Sequence, residues 1–364
     1  MIKSNTSFGK LNSIIVGREL EISKRIADFT FQHFYGENLT HAVYDRLEHG
    51  GQEYYVNHEL LLKRNEQLDN LAATFENLGV EVFRPDRLGQ VVTIKTPDYK
   101  TELSSASNVR DVSLVYRDYI IETPTYVRNR FFENTLLYNV YNQLFDGGRG
   151  GKWVRSPHNK LVEETMDLSP WNSERDYKNF DRSKYTMAID GAQFLRIGKD
   201  VIVNVNSYNH YLGLEWVKSF FPESDFHIVN VADNHIDGVL VCLKPGTFLV
   251  NPKYRNIKDF LPQKFKNWDC LFPDDYKAEP VIESGKTDID IQLASTRGMD
   301  INIVSVDEKN ILVSESAANV IELLDKHGFT PHPVRLENCE IFGGGIHCST
   351  LDTNRDDEYI DYTK

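Results

Sequence analysis

The residues of this chain best suited to chemistry lie near its end, in Glu340-Ile-Phe-Gly-Gly-Gly-Ile-His-Cys-Ser-Thr-Leu-Asp-Thr-Asn-Arg355. Three successive glycines put no Cβ in the way of a close backbone approach, so the run reads as a tight loop presenting Cys348 to a bound molecule. Cys348 is the candidate nucleophile. Taken alone, the loop has a second reading, in which residues 343–345 make a turn and Cys348 is a small buried hydrophobe.

Four other segments carry suitable groups: Asn108-Val-Arg-Asp111, Ile189-Asp190-Gly-Ala192, Asn234-His-Ile-Asp237 and Ser295-Thr-Arg297. Singly, each is ordinary. Asp111 reads as a capping or turn aspartate, Asp190 before Gly191 as a turn residue, and His235 and Asp237 as two side chains on one face of a strand. Together they supply three carboxylates, an imidazole, hydroxyls and, with Cys348, a thiol, which is an active-site inventory if the fold gathers them. A metal centre fits poorly, because there is no HxH or HxxxH pair and one His among Asp residues makes no closed tetrahedral site. Neither a metal nor a cofactor is expected.

A repeat supplies the means of gathering them. An apolar strand, a short polar turn, a second apolar strand, an amphipathic helix and a final strand recur five times. The first unit has a strand over 11–16, a helix with Leu61, Leu68, Leu71, Phe75 and Leu78 at helical spacing, and a strand over 80–83. Residues 29–55, between strand and helix, exceed ordinary loop length and read as either a local insertion or a lid over a site. The second unit has a hairpin over 112–121, a helix with Leu136, Leu137, Val140, Tyr141 and Leu144, then Gly147 and Gly148 before a strand near Trp153. Residues 156–185 turn polar and read as a surface excursion. The third unit pairs 193–197 with 201–205 and closes with 226–229. The fourth pairs 238–243 with 247–250, and Pro262 interrupts its helix. The fifth pairs 301–306 with 310–313 before a helix with Val320, Leu323 and Leu324. Five ββαβ units that cannot bury their own faces are expected to close into a five-bladed α/β propeller with pseudo-fivefold symmetry, one domain over 1–364. The segments ahead of each first strand would then meet at one mouth of the axis. On the pattern alone, a doubly wound sheet or an ordinary α+β arrangement stays open.

The 364 residues are 40% hydrophobic, ample for a large core, and carry a formal net charge of −13. That charge disfavours nucleic acid and anionic membranes and suits a cationic small molecule. Cys242, Cys270, Cys339 and Cys348 form no CxxC pair and are expected to be reduced thiols, in keeping with the cytoplasm. No stretch has the length of a membrane span, and the first residues lack the apolar run of a secretion signal.

Arg110-Asp111, Asp190, His235-Ile-Asp237 and the Gly-Gly-Gly-Ile-His-Cys348 loop resemble the amidinotransferases of the guanidine-modifying superfamily. The similarity runs through Ile14-Ile-Val-Gly-Arg18, Lys95-Thr-Pro-Asp98, Arg128-Asn-Arg-Phe-Phe-Glu133, Gly213-Leu-Glu-Trp216 and Asn251-Pro252 to Leu351. The resemblance implies a five-bladed α/β propeller that moves the amidino group of L-arginine through an amidino-cysteine to a primary amine, releasing L-ornithine. It implies Cys348 as nucleophile, His235 as general acid and base, Asp190 as its orienting partner, and Asp111 and Asp237 as the clamp on the guanidinium. Ser295 and Thr296 fall where the family places hydroxyls near the amino-acid end of the donor. Arg255, one position from Tyr254, falls close to the arginine that holds the donor carboxylate. Segment 229–234, which faces the acceptor, is shorter than in the glycine enzymes. The expected partners are L-arginine and an acceptor such as lysine or glycine, and a homodimer is implied. Two rivals share the scaffold: an arginine or agmatine deiminase using water as acceptor, and a non-catalytic binding propeller.

Overall fold

The computed structural model describes residues 1–26, 28–35, 53–145, 150–274 and 299–364. Among these residues, five three-stranded sheets repeat one pattern, in which the middle strand pairs antiparallel with one neighbour and parallel with the other. In chain order the middle strands are Lys10–Val16, Tyr119–Glu122, Asp200–Asn204, Thr247–Val250 and Asn310–Ser314. A helix follows each middle strand and leads to the parallel one: His58–Asn77, Tyr138–Phe145, Tyr208–Lys218, Ile257–Phe260 and Ala318–Lys326. The fourth is a single turn followed by a 3-10 turn at Gln263–Phe265, as expected where Pro262 removes a backbone donor.

Helix His58–Asn77 shows why these segments hold. The Asn57 side chain accepts from the backbone N–H groups of Glu59 and Leu60, satisfying donors that a helix start leaves open. Leu61, Leu68, Leu71, Ala72 and Phe75 are buried on one face, and Gly79, at φ +81°, ends the helix.

The strands are apolar on both faces because each sheet is covered on both sides. Ile14 and Val16 pack with Val304 and Leu312 of the fifth sheet, whereas Ile15 turns the other way to Val115 and Ile120 of the second. Leu114 and Ile121 of the second sheet meet Val201 and Val203 of the third. Leu195 and Ile202 of the third meet Leu240 and Phe248 of the fourth, and Val241 and Leu249 of the fourth meet Ile311 and Val313 of the fifth. Each sheet thus shares one apolar layer with the sheet before it and one with the sheet after it, and the fifth shares its second with the first.

Two features depart from the sequence reading. The antiparallel partner of Lys10–Val16 is Thr350–Asp356, from the other end of the chain, in a register that runs from Lys10 opposite Asp356 to Val16 opposite Thr350. This polar stretch does not read as a buried strand, yet its Asp352 is fully enclosed. The Asp352 carboxylate accepts from Arg110 Nη2 at 2.7 Å, Arg196 Nη2 at 2.7 Å, Arg355 Nε at 2.8 Å and Ser4 Oγ at 2.8 Å. Burial pushes the carboxyl up, but the three guanidinium groups outweigh it and hold Asp352 well below the usual carboxylate range. The second departure is the opening strand of the fifth sheet, which is only Val304–Ser305 because Met299–Ile301 form a 3-10 turn. Gly147 and Gly148 lie outside the described residues.

Residues 156–185 run mostly exposed, with 3-10 turns at Glu163–Thr165 and Arg182–Lys184, as a surface excursion should. Of the long segment between the first strand and helix, helix Phe29–Tyr35 and strand Glu53–Tyr55 are described and residues 36–52 are not. Phe31 and Phe34 pack in a sixth apolar cluster with Tyr126, Val127, Leu161 and Phe342.

Candidate active site

Each sheet is preceded by a short turn, and these turns carry the polar groups the sequence singled out. Asp111 lies in Val109–Val112, Asp190 caps Gly191–Gln193, His235 precedes Ile236–Gly238, which holds Asp237, and Cys348 stands two residues before Thr350–Asp356. The turn at Ile236–Gly238 packs on both Gly191–Gln193 and Met299–Ile301. A common position in the repeat therefore becomes a common place in space.

The Cys348 loop approaches its neighbours more closely than a side chain would allow. A Cβ on Gly344 would lie 2.5 Å from Asn108 Oδ1 and 2.7 Å from Cys348 Cβ, and one on Gly345 would lie 2.7 Å from Asn302 Oδ1. The loop is then fastened by polar groups. Arg110 Nε donates to His347 O at 3.0 Å, and Arg64 Nη2 donates to Gly344 O and Ser349 Oγ, both at 2.9 Å.

The Cys348 thiol lies 3.3 Å from Asp237 Oδ2 and 3.2 Å from Asn302 Nδ2. Asn302 also accepts the Cys348 N–H through Oδ1 at 3.0 Å and places Nδ2 at 3.3 Å from Asp237 Oδ2. One side chain thus holds Cys348 by backbone and sulfur together. His347 Nδ1 lies 2.8 Å from the same Asp237 oxygen. Burial pulls His347 down to about 4, so at neutral pH it is an uncharged imidazole donating to Asp237. Burial works against Asp237, but the hydrogen bond from His347, with the charge of His235, brings it down to about 2.

His235 bridges two other carboxylates. Its Nε2 is 3.0 Å from Asp190 Oδ2 and its Nδ1 is 3.8 Å from Asp111 Oδ1. Burial lowers its pKa, yet the Asp111 charge and the Asp190 hydrogen bond and charge prevail, raising it to about 9. Asp190 is likewise pushed up by burial and drawn down further by His235, ending lowered. Asp111 Oδ2 accepts from Arg130 Nη1 at 2.7 Å, while Arg130 forks onto Glu133 at 2.9 and 3.1 Å. Despite that partner, burial dominates and the Asp111 carboxyl is raised. Asp111 Oδ1 and Asp190 Oδ1 are both buried without a hydrogen-bond partner.

Cys348 is 2% exposed, and burial followed by the charges of Asp237 and Asp111 drives its pKa well above that of an ordinary thiol. The arrangement is therefore a protonated thiol beside two carboxylates, with an imidazolium on a third. A planar cation placed among them would satisfy the open oxygen of Asp111 and remove the repulsion that keeps sulfur protonated. Phe34 sets the edge of its ring against His235, with centroids 5.3 Å apart, so helix Phe29–Tyr35 roofs the imidazole.

Five residues chosen from sequence, Asp111, Asp190, His235, Asp237 and Cys348, are thus brought together. Arg255 is exposed, with its guanidinium 5.6 Å above the Phe272 ring. Ser295 and Thr296 lie outside the described residues. Asn302 was missed, since Ile301-Asn-Ile-Val reads as strand, and the only signal was one amide in an apolar run. His347, Arg130 and Glu133 were visible only as members of motifs. Among the described residues no group of three or more His, Cys, Asp and Glu side chains is arranged to hold a metal ion. Nor is any helix among them long and apolar enough to cross a membrane.

No family model matches the chain. It is 29% identical over 321 residues to the mitochondrial glycine amidinotransferase of Xenopus laevis, covering 85% of this chain and 72% of that one. It is 28% identical over 295 residues to the L-arginine:L-lysine amidinotransferase of Pseudomonas savastanoi pv. phaseolicola, covering 79% and 78%. Among solved structures, the inosamine-phosphate amidinotransferase from Streptomyces griseus superposes with a TM-score of 0.82 at 25% identity, covering 100% of this chain and 99% of that one. The α/β fold matches that structure.

Proposed function

With relatives and structural neighbours that match the amidinotransferase family, we propose that this chain transfers the amidino group of L-arginine to the primary amine of an amino acid, lysine or glycine, by way of an amidino-cysteine on Cys348. The observation that carries this reading is the buried thiol of Cys348 flanked by Asp237 and by the unpartnered oxygen of Asp111, with His235 held on Asp190.

Guanidinium is planar and delocalised, and so a poor electrophile. Asp111 and Asp237 fix its plane in front of sulfur, and its charge offsets theirs, which lets the thiol release its proton to solvent only as the donor binds and regain one after the product leaves. The thiolate attacks the central guanidino carbon, the S–C bond forms, and the bond from that carbon to the side-chain nitrogen of the donor breaks. The His235 imidazolium gives its proton to the departing nitrogen, and ornithine leaves. Neutral His235 then takes a proton from the acceptor amine as that nitrogen attacks the amidino carbon and the C–S bond breaks, restoring the thiolate. Asp190 stabilises the imidazolium and fixes which ring nitrogen faces the site. Water must be kept away between the half-reactions, and Phe34 over His235 supports that role for residues 29–55. Ser295, Thr296 and Arg255 would hold the amino-acid end of the donor.

The proposal extends to the fold and setting: the apolar layers shared by successive sheets support a closed five-bladed propeller formed by one domain. A cytoplasmic location and a homodimer belong to the same reading.

Mass spectrometry with isotope-labelled arginine, with and without a panel of amines, tests it. A labelled amidino adduct on Cys348, ornithine release and one guanidinylated amine are the expected result and name the acceptor. Citrulline and ammonia in every tube would assign a deiminase, and the absence of adduct and turnover with any guanidine would refute catalysis.

A further inference from the structure

Two histidines stand in the site, His235 and His347, and the transfer chemistry draws on His235 alone. The peptide groups on either side of His347 are fixed: its N–H donates to Asn302 O at 3.3 Å, and its carbonyl accepts from Arg110 Nε at 3.0 Å and Thr350 Oγ1 at 3.1 Å. From that support the ring places Nδ1 2.8 Å from Asp237 Oδ2. The same oxygen also meets Asn302 Nδ2 and Cys348 Sγ, both at 3.3 Å. A carboxylate oxygen offers two lone pairs, so the shortest donor, the His347 N–H, takes one, and the amide and the thiol compete for the other. Asp237 Oδ1 accepts nothing from the described residues and is the oxygen left for a bound cation.

A carboxylate calls for a donor, which puts the imidazole proton on Nδ1. Asp237 and Asp352 favour a second proton on the ring, but burial and the Arg110 charge oppose it and prevail, leaving His347 at about 4. Arg196 and Arg355 line the same small cavity as His347 and Arg110, so no unmatched anion stands there to reverse this. His235, between Asp190 and Asp111, is raised instead to about 9. Two imidazoles pushed in opposite directions have different tasks. A ring that already carries its proton on Nδ1 and refuses a second cannot relay the thiol proton; it can only donate to Asp237.

We infer that His347 is a positioning residue for the transfer: its fixed neutral N–H holds Asp237 as a carboxylate, weakens that carboxylate's pull on the Cys348 proton, and leaves Oδ1 for the donor guanidinium. The inference rests on the proposed transfer for what the sulfur does. Without this N–H, Oδ2 turns to the thiol, and the Asp237 charge falls more fully on sulfur, adding to that of Asp111. The thiol then gives up its proton less readily.

The experiment is alkylation of the full chain without substrate, by iodoacetamide and by the larger N-ethylmaleimide, read at Cys348 by peptide mass for wild type, His347→Ala and His347→Asn. Asparagine offers an N–H close to the place of Nδ1, and alanine offers none. At pH 8 His347→Ala is expected to react about tenfold more slowly with both reagents, the effect of a thiol pKa raised by about one unit, and His347→Asn to react near the wild-type rate. A change of access alone would alter the two reagents differently. An unchanged or faster rate in His347→Ala, a reagent-dependent change, or a His347→Asn variant no better than alanine overturns the inference. Should the alanine variant fail to fold, ¹⁵N NMR of the wild-type imidazoles decides: a neutral ring protonated on Nδ1 from about pH 6 to 9 supports the role, and a proton on Nε2 or a titration in that range overturns it. None of these readouts needs turnover. Slower alkylation in a chain that forms no adduct with arginine would refute the transfer and keep the hold of His347 on Asp237 and sulfur; an unmoved rate in an active enzyme would do the reverse.

Discussion

Replacing Asp190 with Asn isolates the electrostatic half of its contact with His235. The imidazole lies 3.0 Å from Asp190, and its pKa rises from 6.5 to about 9, against burial that lowers it, through the Asp111 charge first and then the Asp190 hydrogen bond and charge. That rise corresponds to about 3 kcal/mol in favour of imidazolium. An opposite charge at this range moves a pKa by about 1–3 units, so Asp190→Asn should lower that of His235 by about 2. At pH 8 the imidazolium fraction would fall from about 90% to about 10%. The assay is the single-turnover rate of amidino-adduct formation, followed by intact-mass measurement between pH 6 and 10 alongside NMR of the imidazole. The first half-reaction needs the protonated ring, so its rate declines as pH rises through the His235 pKa, and in the variant that decline moves to lower pH. Stability must follow the same sign. A raised folded-state pKa stabilises fully below the unfolded value of 6.5 and is lost as pH climbs through about 9, so this part of the variant's deficit shrinks at alkaline pH. A descending limb that stays in place while the rate drops uniformly would refute the electrostatic role and leave Asp190 only an orienting one.

Asn302→Ala removes the Cys348 N–H acceptor and the amide beside sulfur and Asp237, and adduct formation should slow by about 10²-fold while arginine affinity, read by calorimetry, changes far less. Asp352→Asn leaves three buried guanidinium groups without their shared carboxylate, and urea unfolding should show a loss of about 3–5 kcal/mol or more. If Arg255 holds the donor carboxylate, Arg255→Ala should raise KM for arginine about tenfold or more and leave agmatine, which lacks that group, unchanged; equal losses on both would remove the role.

The legible part of this molecule was what repeated. Apolar runs such as Ser113–Tyr116 and Asp200–Asn204 are nearly continuous because both faces are buried, so the strands, the helices and the turns before them could be read. Asp111, Asp190, His235, Asp237 and Cys348 could be chosen because ionisable and thiol side chains stand out ahead of such runs. Asn302 could not, being neutral and flanked by Ile301 and Ile303, with a role that exists only once the Cys348 backbone arrives. Strand Thr350–Asp356 was hidden for the opposite reason: its Asp352 and Arg355 are buried, and the Asp352 partners Arg110 and Arg196 lie 242 and 156 residues away. Polarity marks a surface only when no distant counter-charge exists, and a local pattern carries no record of one.

The antiparallel pairing of Lys10–Val16 with Thr350–Asp356 has a consequence for the timing of activity during biosynthesis. Domains fold as the ribosome delivers them, N-terminal part first. Here the first sheet keeps one edge open until Thr350–Asp356 has been made, after the other four sheets, and the segment that seals it begins two residues after the thiol. Under the proposed function, a nascent chain can assemble the carboxylates and the imidazole, but it has no nucleophile to offer until the strand that anchors Cys348 docks. On the same reading, a chain that stops short of Cys348 is chemically silent, and the sulfur is positioned only once Lys10–Val16 and Thr350–Asp356 have met.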